Sequence, residues 1–323
     1  MDVLDKIKAP VATEMEQFND AFRRMLYSDN PLLEQAVEHL LKAPGKQLRP
    51  LLVLLSARMV GKVSDKVIHV AMALEMLHTA SLVHDDVVDE SDRRRGLPSL
   101  SAFLSNQVAV LTGDFILSKA LECAAMTDDV RIVRHISQLG QLLADGELLQ
   151  LDSKDSEELS EAAYFNIISR KTASLFSVCA RLGALAAGGT ENEAERLAQF
   201  GKLIGICFQL RDDVFDYGTA EVGKPVGNDM REGKLTLPAI YAVNYSESAP
   251  MRELALKVRR REASAEEIQQ LMDFAIGQGG LEYAQWRMKD MQGMADGLID
   301  DTCDATITAA LHQLAAFVAE RKI

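Results

Sequence analysis

Residues 65–89, DKVIHVAMALEMLHTASLVHDDVVD, read as one long helix that ends in acid. Helical periodicity runs through the segment, and Ser64 stands ahead of it as a candidate N-cap. Its last five residues are Asp85-Asp86-Val87-Val88-Asp89, and the pattern returns at Asp212-Asp213-Val214-Phe215-Asp216, closing a second candidate helix over 192–217. Asp85 and Asp89 are four apart, as are Asp212 and Asp216, so each pair shares a helix face. Like charges at that spacing repel by a few tenths of a kcal/mol, roughly. The helix dipole disfavours anions at a C-terminus by up to ~1 kcal/mol. One such cluster reads as a solvated helix end; two read as carboxylates that await a cation. Mg²⁺ suits them, because it takes oxygen from one or two carboxylates and fills its shell with water and phosphate oxygens. At ~100° per residue His78, Asp85 and Asp89 fall on one stripe, and Asp86 is turned about 100° away.

The helix reading extends to most of the chain. Candidate helices run near 11–27, 31–42, 49–60, 65–89, 98–124, 129–151, 158–169, 171–187, 192–217, 235–245, 250–259, 264–277, 279–296 and 301–320. Thr190 is a candidate cap, and Gly188-Gly189 a stop signal. None of the eight prolines lies between Pro98 and Pro225, and alternating β-branched runs are absent. At 323 residues the length suggests about two domains, but no linker divides the chain. The expectation is a single all-α domain over 1–323.

A formal charge of −13 argues against nonspecific nucleic-acid binding, which needs a basic face. The four cysteines (Cys123, Cys179, Cys207, Cys303) are widely spaced and read as buried reduced thiols of a cytoplasmic protein. The first residues mix charges and do not read as a signal peptide, and the apolar stretch 51–60 carries Arg58 and is too short to span a bilayer. No stable membrane insertion is expected.

Cations gather beside the helix breaks. Arg93-Arg94-Arg95 follows the first acidic cluster, Lys46 and Arg49 sit in the turn APGKQLRP (43–50), and Lys171 and Thr172 sit in SRKTASLF (169–176). Lys224 and Lys234 bracket the loop after the second cluster, with Asp229 between them. Singly each reads as a surface residue, and the arginines as salt-bridge partners of the acids. Together they read as grips for a diphosphate already held by metal.

The strings HDDVVDESDRRRGLPS (84–99) and FQLRDDVFDYGTAEVGKPVGNDMREGKLTLP (208–238) resemble the trans-polyprenyl diphosphate synthases. GKQLRP and RKTASLF resemble that family's other signatures, in order; the resemblance runs from about Pro44 to Pro238. It implies an isoprenoid synthase-type helical bundle around a deep central cavity, with the two aspartate motifs facing each other, and a homodimer. By motif match, Asp85, Asp89 and Asp212 are implied as Mg²⁺ ligands, with Asp86, Asp213 and Asp216 in support. Arg94, Lys171, Thr172 and Gln209 match holders of an allylic prenyl diphosphate. Lys46, Arg49, His78 and Arg95 match holders of isopentenyl diphosphate. Lys224 and Lys234 would cover the leaving group. Asp85, Asp89, Arg94, Lys171 and Asp212 are the residues expected to carry the reaction. Two departures stand out. Pro44-Gly45-Lys46-Gln47 replaces the family's usual Gly-Gly-Lys-Arg, and Arg211 replaces a common apolar residue and is expected to pair with an aspartate.

Short-chain members carry an aromatic residue four or five positions before the first motif; here those positions are Ser81 and Ala80. Small side chains there imply a long product of octaprenyl type, a quinone side-chain precursor. A tunnel floor is expected on a facing helix, near 98–124, with Phe115 and Met126 close by. The alternatives are a short-chain farnesyl or geranylgeranyl synthase, a catalytically silent partner subunit, a terpene cyclase, or a cation-binding bundle without catalysis. The silent subunit would typically lack aspartates or arginines that this chain keeps, and the inert bundle leaves the cationic set unexplained.

Overall fold

The apolar runs at 48–60 and 65–88 leave no polar face for solvent, so both must be core helices and other helices must cover them. The computed structural model describes residues 2–43, 45–153, 156–218, 227–299 and 304–320. In chain order the elements are α1 (Val3–Lys8), α2 (Ala12–Leu26), α3 (Pro31–Leu41), α4 (Leu48–Val60), α5 (Asp65–Val88), β1 (Arg93–Arg94), β2 (Leu97–Pro98), α6 (Leu100–Phe103), α7 (Asn106–Ala125), α8 (Val130–Asp152) and α9 (Glu161–Ile168). There follow α10 (Ser174–Ala186), α11 (Glu191–Phe215), α12 (Asn228–Arg231), α13 (Leu237–Ser246), α14 (Ala249–Arg259), α15 (Ala265–Gly277), α16 (Gly280–Asp296) and α17 (Ala305–Glu320). They fall into two compact units. One comprises Met1–Gly140, Leu175–Gly201 and Asp300–Leu311; the other comprises Gln141–Ser174, Lys202–Ile299 and His312–Ile323.

In the first unit α5 packs most extensively on α7, and also on α4, α2 and α6. Among the described residues α5 is the one helix long and apolar enough to cross a membrane, yet 72% of that window is buried inside the protein, as a core helix requires. Leu51, Leu52, Leu54 and Leu55 of α4 have no exposed surface. Truncating any one of them to Ala would cost about 2–5 kcal/mol in lost transfer energy and cavity formation. In the second unit α13 is central, packed on α15, α16, α14 and α9. Ala242, Val258, Leu271 and Ala275 lie at 0% exposure in that core.

The all-α expectation holds, and most helices fall within a few residues of their periodic segments. The short helices α1 and α12 fall outside every periodic segment, and four further departures stand out. The segment 98–124 is two helices, because Ser105 caps α7 through its Oγ (Val108 N–H, 3.2 Å) and ends the run at Leu104. Residues 158–169 and 171–187 are joined through a π-helical turn at Ser169–Ala173. A two-stranded hairpin, β1 with β2, occupies the break after the first acidic cluster. Ser64 stands at the N-cap of α5 but its side chain makes no capping bond. Thr190 does cap α11: its Oγ accepts from Glu193 N–H (3.3 Å), while Glu193 Oε2 accepts from Thr190 N–H (2.7 Å).

Candidate active site

The first acidic cluster belongs to the first unit. α5 closes with Ser91 N–H on Asp86 O (2.9 Å) and Glu90 N–H on Val87 O (3.4 Å), with Glu90 left-handed at φ 51°. This Schellman closure leaves Asp85 and Asp89 half-buried one turn apart and sends Asp86 inward, at 3% exposure. Arg94 grips Asp86, its Nε lying 2.8 Å from both carboxylate oxygens and its Nη2 2.7 Å from Oδ1. Arg94 therefore makes the salt bridge that the bland reading offered, and Asp86 is a buried partner off the shared stripe.

The hairpin aims the three arginines apart. Arg93 pairs with Pro98 and Arg94 with Leu97, and the turn residues Arg95 and Gly96 both have positive φ (50° and 80°). Type I′ geometry demands that of both positions. Gly96 adopts it freely; Arg95 does so at about 1 kcal/mol. The Arg95 Nη1 donates to Ala43 O (2.7 Å), and its guanidinium lies where a Cβ on Gly45 would sit, 2.7 Å from Cζ. Glycine suits position 45, where φ is +73° and a Cβ would make the end of that arginine shift. Lys46 is exposed on the same turn, and Pro44 lies outside the described residues. Gln47, the departure from the family pattern, bonds Asn19 through Nε2 (2.7 Å). Arg49 lies 5.1 Å above the Phe176 ring.

Two titratable groups of α5 are buried near these cations. Burial, with the positive field of Arg49, Arg95 and Arg94, holds His78 well below the ordinary imidazole range, so it is neutral at pH 7. Glu75, one turn before it and 7% exposed, is pushed by burial up to about 7, against the pull of Arg49 and Arg95. Ala80 is 2% exposed; Ser81 is half-buried and donates to His78 O (2.8 Å). Of the residues expected near a tunnel floor, Phe115 is half-buried beneath Lys119, whereas Met126 is 46% exposed and lies on the surface.

The second cluster belongs to the second unit and repeats the division of roles. Asp213 is the inward aspartate, 2% exposed. It accepts from the Tyr164 hydroxyl and from Gln209 Nε2 (2.8 Å), and Gln209 Oε1 accepts from Thr172 Oγ1 (2.8 Å). Burial pushes Asp213 up to about 7; Tyr164 and Gln209 pull against it, while Asp212 and Asp216 add to it. Asp216 accepts the backbone N–H groups of Asn228 (2.9 Å) and Asp229 (3.0 Å), and so anchors the start of α12. Asp229 is itself driven well above the carboxylate range, first by burial and then by Asp213 and Asp216. Lys171 and Thr172 stand in the π-helical turn, past which α8 runs so closely that a Cβ on Gly146 would lie 2.8 Å from Lys171 N. Lys171 Nζ reaches Glu147 (2.6 Å) and Gln150 (3.3 Å). Lys234 pairs with Glu232 at 2.6 Å. Arg211 lies 4.8 Å over the Phe215 ring, with Glu320 acting on it. Lys224 and Cys303 lie outside the described residues; Cys123, Cys179 and Cys207 are buried free thiols.

The structure thus brings Lys46, Arg49, His78, Arg94 and Arg95 into one unit with Asp85 and Asp89, and Lys171, Thr172, Gln209 and Lys234 into the other with Asp212. Among the described residues no three His, Cys, Asp or Glu side chains form a complete metal cage. The available donors at each helix end are carboxylate oxygens. That set suits a hard divalent ion that keeps water and phosphate in its shell. Sequence reasoning missed Glu75, Glu147 and Tyr164. Glu75 had a signal, being an acid in the middle of an all-round apolar run.

Comparison with known proteins fits this arrangement. The polyprenyl synthetase family model matches residues 30–275. The chain belongs to the polyprenyl synthetase family. It is 36% identical over 323 residues to an octaprenyl diphosphate synthase of Haemophilus influenzae, covering 98% of this chain and 97% of that one. A solved polyprenyl synthase of Caulobacter crescentus, complexed with calcium and isoprenyl diphosphate, superposes with a TM-score of 0.92 at 33% identity over 99% of this chain and 98% of that one. A geranylgeranyl pyrophosphate synthase of Bacteroides thetaiotaomicron gives a TM-score of 0.88 at 41% identity over 99% and 100%. As a member of this family the protein is a prenyltransferase that makes prenyl diphosphates, and its fold is the family's all-α fold.

Tyr164→Phe should remove a buried donor to Asp213 without changing shape. The expected cost is about 1–3 kcal/mol of unfolding free energy, read as a lower midpoint in urea. An unchanged midpoint would mean that Asp213 does not depend on the tyrosine.

Proposed function

We propose that this chain is a long-chain all-trans polyprenyl diphosphate synthase. It adds isopentenyl diphosphate units sequentially to an allylic diphosphate, with Mg²⁺, to make an octaprenyl-like quinone side-chain precursor. The carrying observation is the division of roles within each acidic cluster. One aspartate (Asp86, Asp213) is buried on a protein partner, while Asp85, Asp89 and Asp212 are only half-buried at helix ends.

In this reading Asp85, Asp89 and Asp212 hold Mg²⁺, which when bound neutralises the diphosphate that departs from the allylic carbon. Arg94 gives its Nε and Nη2 edge to Asp86 and keeps its other edge for the allylic diphosphate. Lys171, pre-positioned by Glu147 and Gln150, and Thr172 with Gln209 grip the same group. Their charges favour rupture of the allylic C–O bond, whose electron pair leaves with the diphosphate. Lys46, Arg49, Arg95 and neutral His78 hold isopentenyl diphosphate, whose double bond attacks the allylic carbon; the proton then lost passes to the departed diphosphate. Lys234 and Lys224 cover the leaving group.

The tail lengthens past Ala80 and Ser81. We take 1–323 as one synthase domain, because the family match includes residues of both units. A homodimer is supported by the exposed apolar residues Val110 (40%), Leu111 (67%) and Leu121 (51%) on α7. The buried free thiols support a cytoplasmic setting. The likeness to a geranylgeranyl synthase favours a second, short-chain reading.

Purified protein given Mg²⁺, labelled isopentenyl diphosphate and farnesyl diphosphate should yield products well beyond twenty carbons by chromatography. Arrest at fifteen or twenty carbons would select the short-chain reading, and no extension would remove both. Asp85→Ala should lower kcat by about 10²–10³-fold with the melting temperature unchanged, since a half-buried like-charged group is lost; near-normal turnover would refute its role as a ligand. Ser81→Phe should shorten products at little cost in stability, since Ser81 is half-buried. Ala80→Phe should shorten them too but destabilise by about 1–3 kcal/mol through overpacking. Chromatography of the products beside thermal melts separates the two effects, and an unchanged product spectrum for both would place the length limit elsewhere.

A further inference from the structure

Glu75 has no part in the reading above, yet it lies in the same cluster as the cations assigned to isopentenyl diphosphate. It is buried on α5, and its Oε2 has no hydrogen-bond partner among the described residues. The charged groups that act on it are Arg49, from α4, and Arg95, from the hairpin turn. Cys179 on α10 is the other titratable group within its field, and its thiol is raised by burial and by Glu75; His78, on the next turn of α5, is neutral. From α2, α6 and α7, which also pack on α5, no charge among the described residues acts on it. Glu75 is thus a buried carboxyl in the electrostatic field of Arg49 and Arg95, with one oxygen left without a hydrogen bond among the described residues. An incoming diphosphate brings a second, larger negative charge to the same two guanidinium groups. Two anions cannot share that desolvated place at low cost, and the carboxylate is the one able to neutralise itself.

We infer that Glu75 is a counter-ion exchange residue of the isopentenyl diphosphate subsite: it balances Arg49 and Arg95 as a carboxylate while the subsite is empty, and takes a proton from solvent onto a carboxyl oxygen when the diphosphate replaces it. The inference rests on the subsite assignment made above. The linkage has a definite sign. Below about pH 7 Glu75 is already protonated, and binding costs no proton. Above it, binding must take one up, so affinity falls by up to about tenfold per pH unit.

The test is the KM for isopentenyl diphosphate from pH 6.5 to 8.5, in the wild type and in Glu75→Gln, which imitates the protonated carboxyl. Titration of the substrate itself is common to both proteins and cancels in their ratio. The wild-type-to-variant ratio should rise about tenfold or more across that range, while the ratio for the allylic substrate stays flat. Glu75→Met, apolar and of similar length, repeats the comparison if Glu75→Gln loses its fold. A flat ratio for isopentenyl diphosphate, or a variant KM raised at every pH, would overturn the exchange. Arg49→Gln distinguishes the two levels of the argument. If it raises the KM for isopentenyl diphosphate while the Glu75 ratio is flat, the exchange alone falls. If it leaves that KM unchanged, the subsite assignment falls with it.

Discussion

α5 and α11 each finish in aspartates, where the helix dipole already places about half a negative charge. Specific partners in the two clusters relieve that repulsion in part. Asp86 takes the fork of Arg94, and Asp213 takes a tyrosine hydroxyl and an amide. Asp216 takes two backbone N–H groups at the opposite, positive pole of the short helix α12. These partners give the inward aspartates hydrogen bonds from the protein side. The flanking ones stay half-buried at the helix ends, open to solvent or a bound cation, and this is the physical basis of the metal-holding role proposed for them.

Burying carboxyl groups has a thermodynamic consequence. Glu75 and Asp213 both have folded values near 7, above their ordinary 4.5 and 3.8. A raised carboxyl value means that the native state holds its proton longer than the unfolded chain does. Stability therefore falls as pH rises from the ordinary value to about 7, and the deficit is complete above that. At neutral pH both groups are a liability to the fold. Natural proteins concentrate such liabilities where charge must be moved or matched, and both groups lie among residues assigned to diphosphate binding.

The fold was legible because its signals are redundant. α5 and α11 combine periodicity over more than twenty residues with acidic ends, and Thr190 with Glu193 marks a helix start by capping chemistry alone. The misses share a cause, the absence of a local signature. The hairpin uses Arg-Gly in a turn that usually announces itself as Asn-Gly. The π-helical turn at 169–173 has no characteristic composition, so it reads as a gap between two helices. The break before α7 could have been read from Ser105 followed by Asn106, a capping pair hidden inside an apolar segment. Glu147 and Tyr164 acquire meaning only through partners 24 and 49 residues away, and periodicity carries no information at that range.

Both sets of cations stand on or beside irregular backbone. Arg95 sits in a left-handed turn, Arg49 follows the left-handed Gln47 (φ 53°), and Lys171 and Thr172 occupy a turn with i→i+5 bonding. A regular helix projects side chains at about 100° intervals, so neighbouring residues point apart. Gripping one compact anion requires neighbours to converge. A left-handed residue reverses the chain within a single step, and a π turn shifts the angular register of all that follows. Each device costs local stability, about 1 kcal/mol for a non-glycine left-handed residue. Such a cost persists only where the surroundings hold the strained residue in place. Here the holding contacts are visible: Ala43 O and the bare face of Gly45 for Arg95, Asn19 for Gln47, and Glu147, Gln150 and the bare face of Gly146 for Lys171. The two glycines are therefore part of that positioning: a Cβ at 146 would meet the Lys171 backbone, and one at 45 would push on the Arg95 guanidinium.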